Sequence, residues 1–271
     1  MSGGLEQQNT TRSRRLALVV EYDGTRYAGF QLQVGQPTIQ GAIETALNRF
    51  TGSQVRIRGA SRTDSGAHAR GQVVDFLTNA PYPVERFPYA LNHFLPTDIK
   101  VQKAQEVTPD FHSRRDAMSR TYQYRIANRA WPSPMRRFDH HWERQPLDVD
   151  RMNAAAQALI GIHDFRPLST GHPKDKSSVR EVFRWQVTAD GDSVLVECEA
   201  NGFLRYMIRR ANGILVEVGK GRWPETAMAG ALRNQEYPAG NRPTLPARGL
   251  CLVRVNYPNL WDKVKNTDET D

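Results

Sequence analysis

Gly59-Ala60-Ser61-Arg62-Thr63-Asp64-Ser65-Gly66-Ala67-His68-Ala69-Arg70-Gly71 lies between two strand-like runs, Gln54 to Arg58 and Gln72 to Leu77. Its glycines and alanines let the backbone turn tightly and let a ligand approach it. One carboxylate, Asp64, stands two residues from Arg62. By composition alone such a loop is either a solvated hairpin tip or a reaction centre. What it establishes first is a join between two strands, and the periods on either side extend that pair into a larger unit.

Upstream, Leu16 to Tyr22 is a β-rich run broken by Asp23-Gly24, and a loop with Tyr27, Gly29, Phe30 and Gln31 follows. From Thr38, an N-cap after Pro37, the apolar residues Ile39, Ile43, Ala46, Leu47 and Phe50 recur at helical spacing until Gly52. Downstream, a helix is predicted from about Val84 to Phe94, with Pro88 near its start, and Ile99 to Val107 as a strand. The order strand, helix, strand, strand, helix, strand is that of a ferredoxin-like split unit. The second half repeats it. Arg120 to Ala127 is a strand, and a helix capped by Asp148 runs to Gly161. Val179 to Thr188 and Val194 to Glu199 form a hairpin, Phe203 to Val218 a helix and Leu250 to Tyr257 the last strand, after a short inserted helix, Pro224 to Arg233. The predicted class is α+β, with two ferredoxin-like βαββαβ units whose mixed, mainly antiparallel sheets meet at a central cleft. The units span 14–108 and 109–258, the second with an insertion near 222–248, and 1–13 and 259–271 read as polar tails.

The 271 residues carry a formal charge of +8, and arginine outnumbers lysine. That excess suits a polyanion, and arginine suits planar, bidentate recognition of phosphate and bases. No apolar run reaches the ~20 residues of a membrane span, and Met1 to Arg15 lacks the apolar core of a signal peptide, so a cytoplasmic location is expected. Cys198 and Cys251 sit in apolar runs without CxxC spacing and read as reduced core residues. His140-His141, His163-Asp164 and His172 lack ligand spacing, so no metal is expected. Neither a Walker A nor a dinucleotide glycine pattern occurs, and no nucleotide cofactor is expected.

Two basic regions add direction. Between Arg114 and Arg137 lie seven arginines and one acid, Asp116, interleaved with Tyr122, Tyr124 and Trp131. Arginines beside stacking faces suit RNA; an exposed basic strand edge is the plainer alternative. On the predicted 203–218 helix, Arg205 and Arg209 share a face while Arg210 points about 100° away. An arginine among apolar residues needs an acid or a phosphate, and Asp64 is a candidate partner.

Arg62-Thr63-Asp64-Ser65-Gly66-Ala67-His68-Ala69 resembles the signature of the tRNA pseudouridine synthase A family. Tyr22 to Gln31, Phe111 to Arg114, Arg120 to Arg125, His163 to Phe165, Asn201 to Arg209 and Pro246 to Leu250 agree with it in order, so the likeness spans roughly Leu16 to Tyr257. The resemblance implies the pseudouridine synthase fold and isomerisation of uridine to pseudouridine at positions 38, 39 and 40 of the tRNA anticodon stem-loop, without cofactor or metal, by a homodimer. It makes Asp64 the nucleophile, Tyr122 the residue stacking on the target base, Arg62 the one that displaces or holds RNA, and Arg209 the partner of Asp64. His68, Arg205 and Leu250 would contact substrate. Ser61, where the family commonly has Gly, Ala67 in place of Val, and Arg205 in place of a frequent His are departures. Two other readings are a non-catalytic RNA-binding protein and a carboxylate hydrolase, the latter needing a second acid such as Asp75.

Overall fold

The computed structural model describes residues 13–234, 243–258 and 260. Its first half runs β1 (Arg14–Tyr22), α1 (Ile39–Thr51), β2 (Arg58–Gly59), β3 (His68–Thr78), α2 (Arg86–Phe94) and β4 (Ile99–Val107). The second runs β5 (Ser119–Asn128), β6 (His141–Glu143), α3 (Val149–Ala156), β7 (Gly161–Asp164), β8 (Val179–Asp190), β9 (Ser193–Ala200), α4 (Met207–Gly219), α5 (Ala227–Asn234) and β10 (Leu250–Asn256). Of the expected tails, all but residues 13 and 260 lie outside the described residues, as do 235–242 of the insertion.

The strands form one sheet in the order β4-β1-β3-β10-β5-β9-β8-β7, with β2 beside β3 and β6 beside β5. In the first half β1 pairs antiparallel with both β3 and β4. In the second, β5 lies between β10 and β9, and β9 pairs with β8. With β6 and β7 set aside, each half therefore sets its fourth strand beside its first, its first beside its third and its third beside its second. The halves join where β10 runs parallel to β3, pairing Cys251 with His68 and Leu252 with Ala69.

Strand β2, on the same edge of β3, is shorter than expected. The expected strand from Gln54 is absent, and only Arg58 and Gly59 pair with β3, at Asp75 and Val74. The reason is local: Glu44 of α1 accepts the Ile57 N–H at 3.1 Å and Gln40 donates to its carbonyl, so helix side chains take the bonds a ladder would have used. The other end of the same β3 edge is left to β10.

Caps follow the sequence. Thr38 accepts from the Gly41 N–H and Asp148 from the Arg151 N–H. Ile39, Ile43 and Leu47 of α1 and Phe87 and Leu91 of α2 are buried with Leu16, Leu18, Val74 and Phe76 of the strands. In the second half α3 packs on α4 and β8. Two short strands, β6 and β7, lie outside the elements that the apolar periods mark; β6 extends the sheet parallel to β5 and β7 pairs with β8. Helix α4 begins at Met207 rather than Phe203, because Tyr206 adopts φ 66° and interrupts the helical path. Arg205 thus lies before the helix, not on a shared face with Arg209. Among the described residues no helix is long and apolar enough to cross a membrane.

A fully buried carboxylate ties β2 to the connection between the halves. Asp75 accepts from Arg15 Nη1 at 2.7 Å, from Arg58 Nε at 3.0 Å and from the Ser113 N–H at 2.9 Å. Arg58 also donates to the Phe111 carbonyl, and Ser113 Oγ to the carbonyl of Arg58. Burial pushes the Asp75 carboxyl up, but the bonds from Arg58, Ser113 and Arg15 together outweigh it and hold the group below its ordinary value. Asp75→Asn is expected to cost about 3 kcal/mol, measured as a lower urea midpoint. Because the folded-state pKa is depressed, this contribution is present above the unfolded pKa of about 4 and is lost as pH falls through the folded value. Wild type should therefore lose stability more steeply than Asp75→Asn below about pH 4 in the same unfolding experiment.

Candidate active site

The segment from Ala60 to Ala67 emerges from β2 and returns into β3, above the seam where β10 joins. Its floor is set by Gln72 on β3, a fully buried side chain. Gln72 Nε2 donates to the Ser61 carbonyl at 2.7 Å and its Oε1 accepts the Ser61 N–H at 3.2 Å. Two residues on, Thr63 Oγ1 lies 2.8 Å from the hydroxyl of Tyr22. With residues 61 and 63 fixed from below, the intervening Arg62 is exposed.

The Tyr22–Gln31 segment braces the loop from the side. Phe30 N–H donates to the Thr63 carbonyl, and Gly66 N–H and Ser65 Oγ donate to the Tyr27 carbonyl. The approach is close enough to demand glycine at two points. A Cβ on Gly24 would lie 1.9 Å from the Ala67 oxygen, and Gly29, at φ +103°, would place one 2.8 Å from the Thr63 oxygen. Tyr27 is itself anchored to Asp98 at 2.7 Å. A loop whose composition also fits a solvated hairpin tip is thus held on several sides.

Asp64 stands at the turn, its carbonyl accepting the Ala67 N–H at 3.1 Å. Its carboxylate Oδ2 accepts from Arg209 Nη1 at 2.9 Å, and the two side chains are 21% and 15% exposed. The carboxylate is enclosed yet reachable. Arg209 lies in the first turn of α4, where its Nε donates to the Leu245 carbonyl at 2.7 Å and its own carbonyl accepts the Leu245 N–H. Its guanidinium also lies 4.8 Å from the centre of the Tyr206 ring, which Arg205 and Arg210 approach as well. The partnership between Asp64 and Arg209 is present although the helix starts later than its apolar spacing indicates.

Tyr122 on β5 is only 4% exposed. Its hydroxyl lies 2.7 Å from Ser61 Oγ, and its ring meets Phe203 edge to face at 5.3 Å between centres. Burial, with Asp64 adding to it, raises the phenol above its ordinary value, so the hydroxyl stays neutral. His68 is buried as a bridge: Nδ1 accepts the Gly24 N–H at 3.2 Å, and Nε2 lies within 3.0 Å of the carbonyls of Phe138 and Arg248. Leu250 is buried at the start of β10, paired with Tyr124, while Arg205 is exposed. Ala247, just before β10, sits below Gly66. Asp75 is wholly engaged by Arg15, Arg58 and Ser113 and so is not free to act as the second acid that a hydrolase pair requires.

Four contributors escape a reading of the sequence. Gln72 shows only as a polar residue in an apolar strand. The hydroxyl of Ser61 looks like a turn residue. Tyr206 gives no sign of its left-handed backbone. Arg120, buried on β5, donates to the carbonyls of Arg114, Ala117 and Asn201 and so ties the approach to β5 to the end of β9; in sequence it is one arginine in a basic run.

A family model described as tRNA pseudouridine synthase matches residues 18–116 and 155–258, which include Asp64 and Arg209. The chain is 44% identical over 246 residues to the tRNA pseudouridine synthase A of Moorella thermoacetica, covering 89% of this chain and 99% of that one. It is 42% identical over 244 residues to that of Myxococcus xanthus, with 90% and 92% covered. The corresponding protein of Brevibacillus brevis is 40% identical over 245 residues, with 90% and 100% covered. A glycine-braced loop, a lone carboxylate on an arginine and matches that run through both halves have one common account: the chain belongs to the tRNA pseudouridine synthase family, isomerases that convert uridine to pseudouridine in tRNA.

Proposed function

We propose that this chain acts on uridines 38, 39 and 40 of the tRNA anticodon stem-loop, with Asp64 as the nucleophile and no cofactor or metal. The observation that carries the nucleophile is the pair between Asp64 and Arg209: a single partly enclosed carboxylate held at 2.9 Å by a guanidinium that is itself fixed by Leu245. The reaction conserves every atom of the nucleotide. The bond from ribose C1′ to base N1 breaks, the base turns, C1′ bonds to C5, and the proton lost from C5 is matched by one gained at N1. No electrons are exchanged, so the chemistry calls for a nucleophile and proton transfers alone. Attack at C1′, attack at C6 and passage through a glycal all use the carboxylate.

A uridine within a stem reaches an enclosed acid only by leaving its stack. Arg62, exposed beside Asp64, is placed to take the vacated position or a backbone phosphate. Tyr122 forms the stacking face, Leu250 packs near the base, and Arg205 supplies charge toward the RNA. His68 contributes by holding the Gly24 and Arg248 backbones around the loop. The units 14–108 and 109–258 each contribute to one site, Asp64 from the first and Tyr122 and Arg209 from the second. A homodimer working in the cytoplasm completes the reading.

Purified protein incubated with unmodified tRNA, without added metal or cofactor, should yield pseudouridine at the three positions by chemical mapping. Asp64→Asn is expected to form none while binding tRNA within about threefold of wild type by filter retention. Product from that variant would remove Asp64 as nucleophile. Arg209→Ala removes a charge-assisted bond worth about 1.5–3 kcal/mol, so single-turnover conversion should fall about 10- to 150-fold, with a smaller change in affinity. Weaker binding with an unchanged single-turnover rate would count against the pair.

A further inference from the structure

We propose that Ser61 is a positioning residue of this enzyme, its Oγ fixing the phenolic hydroxyl of Tyr122 from a loop backbone that Gln72 holds in place. The proposal rests on the reading that Tyr122 faces the target base. Tyr122 is buried at the floor of the site and its hydroxyl is 2.7 Å from Ser61 Oγ. A buried hydroxyl without a partner is costly, and one with a partner of fixed position has a fixed direction. Ser61 has such a position, because Gln72 grips it through both its N–H and its carbonyl. Gln72 is also 3.4 Å from the Tyr22 hydroxyl, which meets Thr63, so one buried amide sets the height of the backbone on both sides of Arg62.

The pair has a chemical consequence. Each hydroxyl can donate or accept. When Ser61 donates, the phenolic proton of Tyr122 is free to face the substrate; when Tyr122 donates, its oxygen is left as an acceptor. Deprotonation of the phenol is disfavoured by burial and by Asp64, so this exchange of roles lets one neutral side chain meet a base whose own hydrogen-bonding pattern changes during isomerisation. A residue without a side-chain hydroxyl at position 61 would leave Tyr122 to water or substrate alone. Phe203, edge to face with the ring, restrains its plane but has no group to orient the hydroxyl.

The test is a double-mutant cycle read by single-turnover conversion of tRNA, with tRNA affinity and urea midpoint measured on each protein. Ser61→Ala and Ser61→Gly are each expected to slow conversion about 3- to 10-fold at unchanged affinity, the effect of one neutral hydrogen bond. In a Tyr122→Phe background the same substitutions should slow it no further. Equal slowing in both backgrounds would assign Ser61 a purely structural part and overturn the proposal. Ser61 variants at full rate beside a slow Tyr122→Phe would overturn it too, while leaving the role of Tyr122 standing. A Tyr122→Phe protein at full rate would remove the phenolic hydroxyl from the reaction, and with it both this proposal and the hydroxyl's part in the reading beneath it.

Discussion

The edge of β3 is shared between two strands, and the site exists because of how that edge is divided. Arg58 and Gly59 occupy it beside Asp75 and Val74, and Cys251 and Leu252 occupy it beside His68 and Ala69. Had β2 run on, it would have filled the edge and the second half could not have docked there. The chain leaving β2 must instead cross over the gap as a loop before it enters β3. That loop is the one that carries Asp64. The same arrangement brings β5 within two strands of β3, so Tyr122 comes beneath Ser61 without any long reach of side chain.

Two buried polar residues keep the division in place, by different means. Asp75 is ionic and joins three segments: the start of β1, β2, and the linker at Phe111 and Ser113. Gln72 is neutral and joins the loop to the strand beneath it and to the Tyr22 hydroxyl of β1. Both lie on β3, three residues apart, and neither side chain has any exposed surface. Each would be destabilising without partners, and replacing either with an apolar residue would strand the groups it satisfies. Their burial specifies one position for the loop where a purely apolar strand would allow several.

The architecture was legible from the sequence because the apolar periods of 16–22, 39–50, 87–94 and 99–107 lie close to the observed elements, and the second half repeats the order. Asp64, Tyr122 and Arg209 stand out through the family signature, while the cost of an arginine among apolar neighbours points to Asp64 as a partner without choosing among Arg205, Arg209 and Arg210. What stayed hidden depends on tertiary partners. Val55 and Ile57 have the pattern of a strand, but Glu44 and Gln40 compete for the Ile57 backbone. β6 and β7 are too short for periodicity to register and exist only as additions to β5 and β8. His68 sits in the signature like a substrate contact, yet its ring is used to hold backbone, which only the folded positions of Gly24, Phe138 and Arg248 reveal.

Tyr206 shows why apolar spacing extended α4 too far. Phe203, Leu204, Met207 and Ile208 have the pattern of one helical face, but the residue between them holds a left-handed backbone at φ 66°. For a residue with a bulky side chain that conformation costs roughly 1–3 kcal/mol and persists only where surroundings impose it. The surroundings here are identifiable. Phe203 is drawn away from a helical path by Tyr122 and Trp185, while Met207 and Ile208 are buried at the head of α4. Tyr206 has to connect the two directions, and in doing so it sets its ring among Arg205, Arg209 and Arg210. The face of an aromatic ring attracts a guanidinium, which offsets part of the strain and restrains side chains that would otherwise repel one another. A continuous helix from Phe203 would release the strain but would also remove Phe203 from Tyr122 and shift the ring against which Arg209 rests. The irregular backbone at Tyr206 therefore belongs to the same construction that holds Arg209 against Asp64.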